Sequence, residues 1–212
     1  MIKVAVLVSG GGTNLQALLD AKADGQLPLA DFTCVISNRK KAYGLERAKQ
    51  AGVEAIYLPT VAFENREDYH IALRDLLLEK GIDLIVLAGY LVVLGKPVID
   101  AFEGRILNIH PSLIPSFCGD GFYGLKVHEE VLKRGVKVTG ATVHFVDNGT
   151  DTGPIVLQKA VEVKQGDTPE VLQKRVKEEA EWKLLPMAVR LFSEGRLKIE
   201  NHVVAIEGED VK

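Results

Sequence analysis

The first apolar run, Ile2–Val8 (IKVAVLV), is β-branched and apolar on both alternating faces, the pattern of a strand covered on both sides. A glycine cluster cuts it off, and Leu15, Leu18 and Leu19 then recur at helical spacing within Asn14–Ala23. The two periods go on alternating. Strands are expected at Phe32–Ile36, Ala55–Leu58, Leu84–Leu87 and Ile106–Ile109. Helices are expected at Ala42–Ala51, Asn65–Lys80 and near Pro97–Ala101, with Gly52 and Gly81 stopping the first two.

The second half changes character. Val138–Val146 and Ile155–Val163 read as strands joined by the turn-rich DNGTDTGP, and so as an antiparallel pair. One long helix is expected over Thr168–Ser193, with Asp167 or Thr168 as its N-cap, Pro169 in its first turn and Gly195 beyond its end. Leu197–Ile206 suits a terminal hairpin or edge strand, and Gly208–Lys212 a frayed tail. The pattern predicts an α/β fold: a mostly parallel, Rossmann-like open sheet with helices on both faces, and antiparallel strands in the C-terminal half. With neither repeat nor linker, residues 1–212 read as a single domain.

Composition narrows the partners. The 212 residues are 47% hydrophobic and carry a formal charge of −3 without a long single-sign block, which argues against a nucleic-acid or membrane surface. Arg39-Lys40-Lys41 remains compatible with a phosphate. Two cysteines do not make a disulfide framework, so Cys34 reads as a core thiol and the reduced cytosol as the default compartment. The first apolar run is too short for a secretory signal or a membrane span.

Candidate chemistry begins at VLVSGGGTNLQALL. Glycines let the backbone approach a ligand, and the free N–H groups of the following helical turn attract an anion. No lysine follows the glycines as in a P-loop, and Leu15 stands where a dinucleotide fingerprint has its third glycine. The loop is therefore either a monophosphate cradle or a plain tight turn. Asn108 and His110, two apart on a strand that stops at Pro111, project to one side. Such an arm offers an amide to a developing oxyanion and an imidazole for proton transfer or charge stabilisation; alternatively, the two are a satisfied polar pair. The acid that would raise the pKa of His110 is expected from the glycine-rich loop, with Asp151 preferred and Asp147 competing. His110, Cys118, His128 and His144 do not follow zinc spacing, and Cys118 reads as a loop thiol. His144 suits a place near the cleft, His70 and His202 the surface, and Trp182 packing. An NADP reductase with Arg39 near the cofactor phosphate is a competing class.

SGGGTNLQ, AGY, NIHPSLIP, TGATVHFVDNGTDTGPI and the late LLP occur in that order. Together they resemble the phosphoribosylglycinamide formyltransferase family, the folate-dependent transferases of purine synthesis, over nearly the whole chain. The resemblance implies attack by the amine of glycinamide ribonucleotide on the formyl carbon of 10-formyltetrahydrofolate. It makes Asn108 the oxyanion partner, His110 the proton donor or electrostatic partner, and Asp151 the acid that tunes it. It assigns Gly12, Thr13 and Asn14 to the ribonucleotide phosphate, Glu181 to its ribose, and Arg66, Leu91, Val92, Val93 and Leu94, with Asn108, to folate. Residues 1–100 would then form a phosphate-binding half and 101–212 a catalytic and folate-binding half. The resemblance further implies no metal, a cytoplasmic monomer or homodimer, and two small-molecule substrates. Cys118–Leu125 is longer than the family's usual loop, as a lid or merely a longer turn.

Overall fold

A computed structural model describes residues 1–208. Its main sheet has the order β3-β2-β1-β4-β5-β6-β7. The strands are β1 (Ile2–Val8), β2 (Ala30–Ser37), β3 (Glu54–Tyr57), β4 (Leu84–Leu87), β5 (Ile106–His110), β6 (Val138–Phe145) and β7 (Ile155–Glu162). The first five pair in parallel; β6 runs antiparallel to β5, and β7 to β6. The expected terminal hairpin forms from β8 (Leu197–Glu200) and β9 (Val203–Ile206). Of the expected frayed tail, residues 209–212 lie outside the described residues.

The β1 sequence explains the layering. Val4, Val6 and Val8 enter one core with the apolar faces of α1 (Thr13–Ala23) and α2 (Tyr43–Gln50), whereas Ala5 and Leu7 enter the other. The second core belongs to α3 (Arg66–Glu79) and α4 (Lys96–Ala101). Full burial of each large aliphatic side chain contributes about 1.5–3 kcal/mol, so a strand apolar on both faces is stable only between two helical layers. Asn65 caps α3 by accepting the Asp68 N–H, and Thr168 caps α6 (Pro169–Val176) by accepting that of Val171. Asp167, the other candidate cap, is paired to Arg175 instead.

Two expectations need correction, and one helix was not expected. The long helix over Thr168–Ser193 is not uniform: α6 passes through a π-helical turn, Lys177–Glu181, into α7 (Trp182–Ser193). A π turn holds an extra residue and rotates the side chains that follow it, which apolar spacing alone does not reveal. Pro186 inside α7 also has no N–H to donate to the turn before it. His70 is buried in the second core, edge-on to Tyr69, rather than at the surface. Finally, the chain after Leu125 forms a helix, α5 (Leu125–Arg134), that no expectation covered.

Candidate active site

The sheet changes direction of winding at β1, with β2 on one side and β4 on the other. Such a switch point opens a crevice at the carboxyl ends of the strands. Here it is a cavity of about 760 Å³, within the size range of small-molecule sites. One wall is the glycine loop, Ser9–Asn14, and the opposite wall is Leu87–Leu94. Asn108, His110, His144 and Asp151 line it together with Gly119–Gly124. A larger groove of about 1120 Å³ beside α1 and α7 contains none of the predicted catalytic side chains.

The glycine loop is shaped for close approach. Gly12 has φ +68°, and a Cβ there would lie 2.7 Å from the Gly44 Cα. A Cβ on Gly10 or Gly11 would meet nothing within 4 Å, so their backbone faces open space. Arg47 braces the loop from behind, donating to the Gly11 carbonyl at 2.8 Å and to Gln16 at 2.7 Å. Asn14 is buried and donates to Glu181 Oε2 at 2.6 Å. Burial pushes the pKa of Glu181 up, against the contributions of Asn14 and Lys177. Glu181 therefore stands beside the glycine loop.

The catalytic candidates converge on the sheet face toward α3 and α4. Leu107 and Ile109 enter the opposite core, and Asn108 pairs directly across the ladder with His144. Asn108 Nδ2 lies 3.1 Å from His144 Nε2, and His144 Nδ1 donates to the Phe145 carbonyl at 2.7 Å. That second bond keeps a proton on Nδ1, so Nε2 accepts one Asn108 N–H when the ring is neutral and donates to Asp151 only when the ring is protonated. The other Asn108 N–H has a 3.5 Å contact with Asp151 Oδ1 and faces the cavity.

Asp151 is held at φ +57°, a left-handed conformation that Asp tolerates better than most residues. Its Oδ2 accepts the Gly119 N–H at 2.9 Å and lies 3.4 Å from His110 Nδ1; its Oδ1 lies 3.5 Å from His144 Nε2. Burial works to raise its pKa, but His144, His110 and the Gly119 N–H outweigh it and hold the carboxyl below the ordinary value. The competitor Asp147 caps its own turn instead, accepting from the Gly149 N–H and the Thr152 hydroxyl.

His110 Nε2 donates to the Phe117 carbonyl at 2.9 Å, which leaves Nδ1 toward Asp151. Asp151 acts to raise the imidazole pKa, as expected, yet burial is larger and the net shift is downward. A neutral ring then turns a lone pair toward the carboxylate. A proton taken up at Nδ1 converts that contact into an ion pair, which offsets part of the cost of charging a buried ring.

Leu91, Val92, Val93 and Leu94 all line the cavity, with Leu91 and Val93 exposed at its mouth. These four lie within residues 1–100, so the cavity draws its folate-side candidates from the half expected to bind phosphate. Arg66 does not line the cavity; it is exposed in the first turn of α3, near the buried His70. Trp182 is half-buried along the outer groove rather than in the cavity. Sequence reasoning missed Gln173 and Lys177, which line the cavity beside Glu181. Their spacing with Glu181, four and four, was a polar stripe along the helix that could have found them. His128, weighed in the sequence only as a metal ligand, is fully buried on the cavity wall, where burial and Lys177 push its pKa down to about 4. Among the described residues no group of three or more His, Cys, Asp or Glu is arranged to hold a metal ion, and no helix is long and apolar enough to cross a membrane.

A protein-family model described as Formyl transferase matches residues 2–189. The chain is 40% identical to a phosphoribosylglycinamide formyltransferase of Haemophilus influenzae, covering 99% of this chain and 95% of that one. It is 43% identical to a trifunctional purine biosynthetic protein adenosine-3 of Bos taurus, over 98% of this chain but only 20% of that much longer one. The crystal structure of glycinamide ribonucleotide transformylase 1 from Symbiobacterium toebii superimposes with a TM-score of 0.92 at 48% identity, covering 98% of this chain and 95% of that one.

Proposed function

Because the chain belongs to the formyl transferase family, we propose that it transfers the formyl group of 10-formyltetrahydrofolate to the amine of glycinamide ribonucleotide, as a step of purine biosynthesis. The observation that carries this reading is the convergence of Asn108 and His110 on Asp151, which lies within 3.5 Å of each, in the same cavity as the glycine loop.

The amine lone pair forms the new C–N bond, and the carbonyl π pair moves onto oxygen. The tetrahedral intermediate then collapses, its bond to folate N10 breaks, and N10 receives the proton that the amine gives up. The cavity-facing Asn108 N–H stabilises the oxyanion, a contribution of about 3 kcal/mol where such a donor acts alone. Asp151, ionised near neutral pH, stabilises a charged His110 and orders the water that relays the proton. Gly12, Thr13 and Asn14 hold the ribonucleotide phosphate, and Glu181 accepts from its ribose. Holding both substrates in one crevice supplies the proximity that the reaction needs.

Leu91–Leu94 bind the folate. The apolar side chains of Leu91 and Val93 at the cavity mouth suit a flat heterocycle, and backbone groups of the segment supply its polar contacts. Arg66, outside the cavity, is assigned to the folate's distal carboxylates. The substrates are small molecules, the compartment is the cytoplasm, and the working form is a monomer or homodimer without a metal. The test is folate-product formation with and without glycinamide ribonucleotide. Dependence on the ribonucleotide is expected, whereas formyl release that ignores it identifies a formyltetrahydrofolate hydrolase.

A further inference from the structure

We propose that Ser9 is a positioning residue that joins the two substrate walls and sets the distance between the reacting amine and the formyl carbon. Ser9 follows β1 directly and is 2% exposed. Its hydroxyl accepts the Leu91 N–H at 2.9 Å and donates to Asn38 Oδ1 at 2.7 Å. Its own N–H donates to the Gly89 carbonyl at 3.0 Å. One small side chain thus ties together the carboxyl ends of β2, β1 and β4, the neighbours that form the crevice at the switch point.

The residues on either side of this link are glycines, which bring no side chain to the junction. Gly10 and Gly11 have no packing neighbour where a side chain would stand, and Gly89 sits at φ +76°. Tyr90, the bulky residue of the second wall, is buried in the core with its hydroxyl on that of Tyr69. The Ser9 hydroxyl supplies the registration of the two walls through one donated and one accepted bond, which defines distance and direction more tightly than apolar contact does. In a bimolecular reaction between two bound substrates, a misplacement of about 1 Å can cost about a hundredfold in rate. The inference rests on assigning the glycine loop to the ribonucleotide and Leu91–Leu94 to the folate.

The test is steady-state kinetics of Ser9→Ala against both substrates, with thermal melting as the fold control. Expected is a fall in kcat of about ten- to a hundredfold, with each KM within about threefold of the parent, because each wall keeps its own ligand contacts. Asn38→Ala keeps the hydroxyl and removes only its half-buried acceptor, and is expected to lower kcat by about threefold. If Ser9→Ala does not fold, Asn38→Ala decides. A parental kcat in the deciding variant overturns the proposal, as does a large rise in one KM with kcat unchanged, which marks a simple scaffold for that substrate. The parent enzyme separates the two readings. Formyl release without ribonucleotide counts against the proposed function; a parent that requires both substrates beside an unimpaired Ser9→Ala counts against Ser9 alone.

Discussion

Replacing Asp151 with Asn tests the arrangement at its most charged point. The substitution keeps shape and the acceptor for the Gly119 N–H, and Asn tolerates the left-handed φ of +57° as readily as Asp. What disappears is a negative charge 3.4 Å from His110 Nδ1. At an effective dielectric of about 20, that separation corresponds to about 5 kcal/mol between unit charges. Measured values for hydrogen bonds to charged groups are nearer 1.5–3 kcal/mol. The carboxylate is 11% exposed, so partial screening favours about 3 kcal/mol, or roughly a hundredfold loss in kcat. The pH profile carries a second signature. Asp151 is the larger of the two influences that raise the His110 pKa against burial, the Phe117 carbonyl being the other, so its loss lowers that pKa further and the alkaline limb governed by His110 moves to lower pH. The assay is the pH dependence of folate-product formation, with melting curves to show that the fold persists. A kcat within threefold of the parent, on an unshifted profile, would refute the reasoning.

Adjacent glycines separate packing from binding. Gly12→Ala forces a Cβ toward Gly44 at φ +68° and is expected to lose about 2 kcal/mol or more in chemical denaturation, whereas Gly11→Ala has open space, melts like the parent and raises the KM for the ribonucleotide. Glu181→Gln is expected to raise that KM about tenfold. Because burial raises the Glu181 pKa, the protonated form stabilises the fold and that contribution is lost as pH rises through the folded-state pKa; melting curves should show Glu181→Gln gaining on the parent more at pH 8 than at pH 5. Cys118→Ser is expected to stay active, since burial and Asp151 both push the thiol pKa up, away from a nucleophilic thiolate; an inactive folded variant in the formyl-transfer assay would assign the thiol a chemical role.

The parallel half of the fold was legible because each strand is a short apolar run bounded by glycine, proline or a cap, and the structure shifts those boundaries by only a residue or two. The π turn was not, because Val176, Ala180, Leu184 and Leu185 keep a helical apolar stripe across it, and the extra residue is spent on the polar side. His70 was misplaced because helical period separates faces, not depths; it lies beneath Gly95, where a Cβ would come within 2.5 Å of its ring. Asn108 and His110 could be read from their spacing. The role of His144 could not, because it depends on the antiparallel register that sets it opposite Asn108. Nor could the net direction of the His110 pKa, since a sequence names the neighbouring acid but not the degree of burial that opposes it.

The reversal of strand direction at β6 is what brings Asn108, His144 and Asp151 together at the crevice. A parallel sheet delivers side chains from its strand ends, and β1, β4 and β5 supply the glycine loop, Leu91–Leu94 and His110 in that way. A sixth parallel strand would have to leave β5 through a crossover helix on one face of the sheet. Running β6 antiparallel instead sets His144 level with Asn108, and lets the loop to β7 return Asp151 across the face on which both project. The 117–119 segment then closes the ring from the other side, with the Phe117 carbonyl on His110 and the Gly119 N–H on Asp151. Each charged or chargeable group therefore has a backbone partner that cannot change protonation state. Such fixed dipoles need no reorganisation as charge develops, the condition under which electrostatic stabilisation of a transition state is most effective.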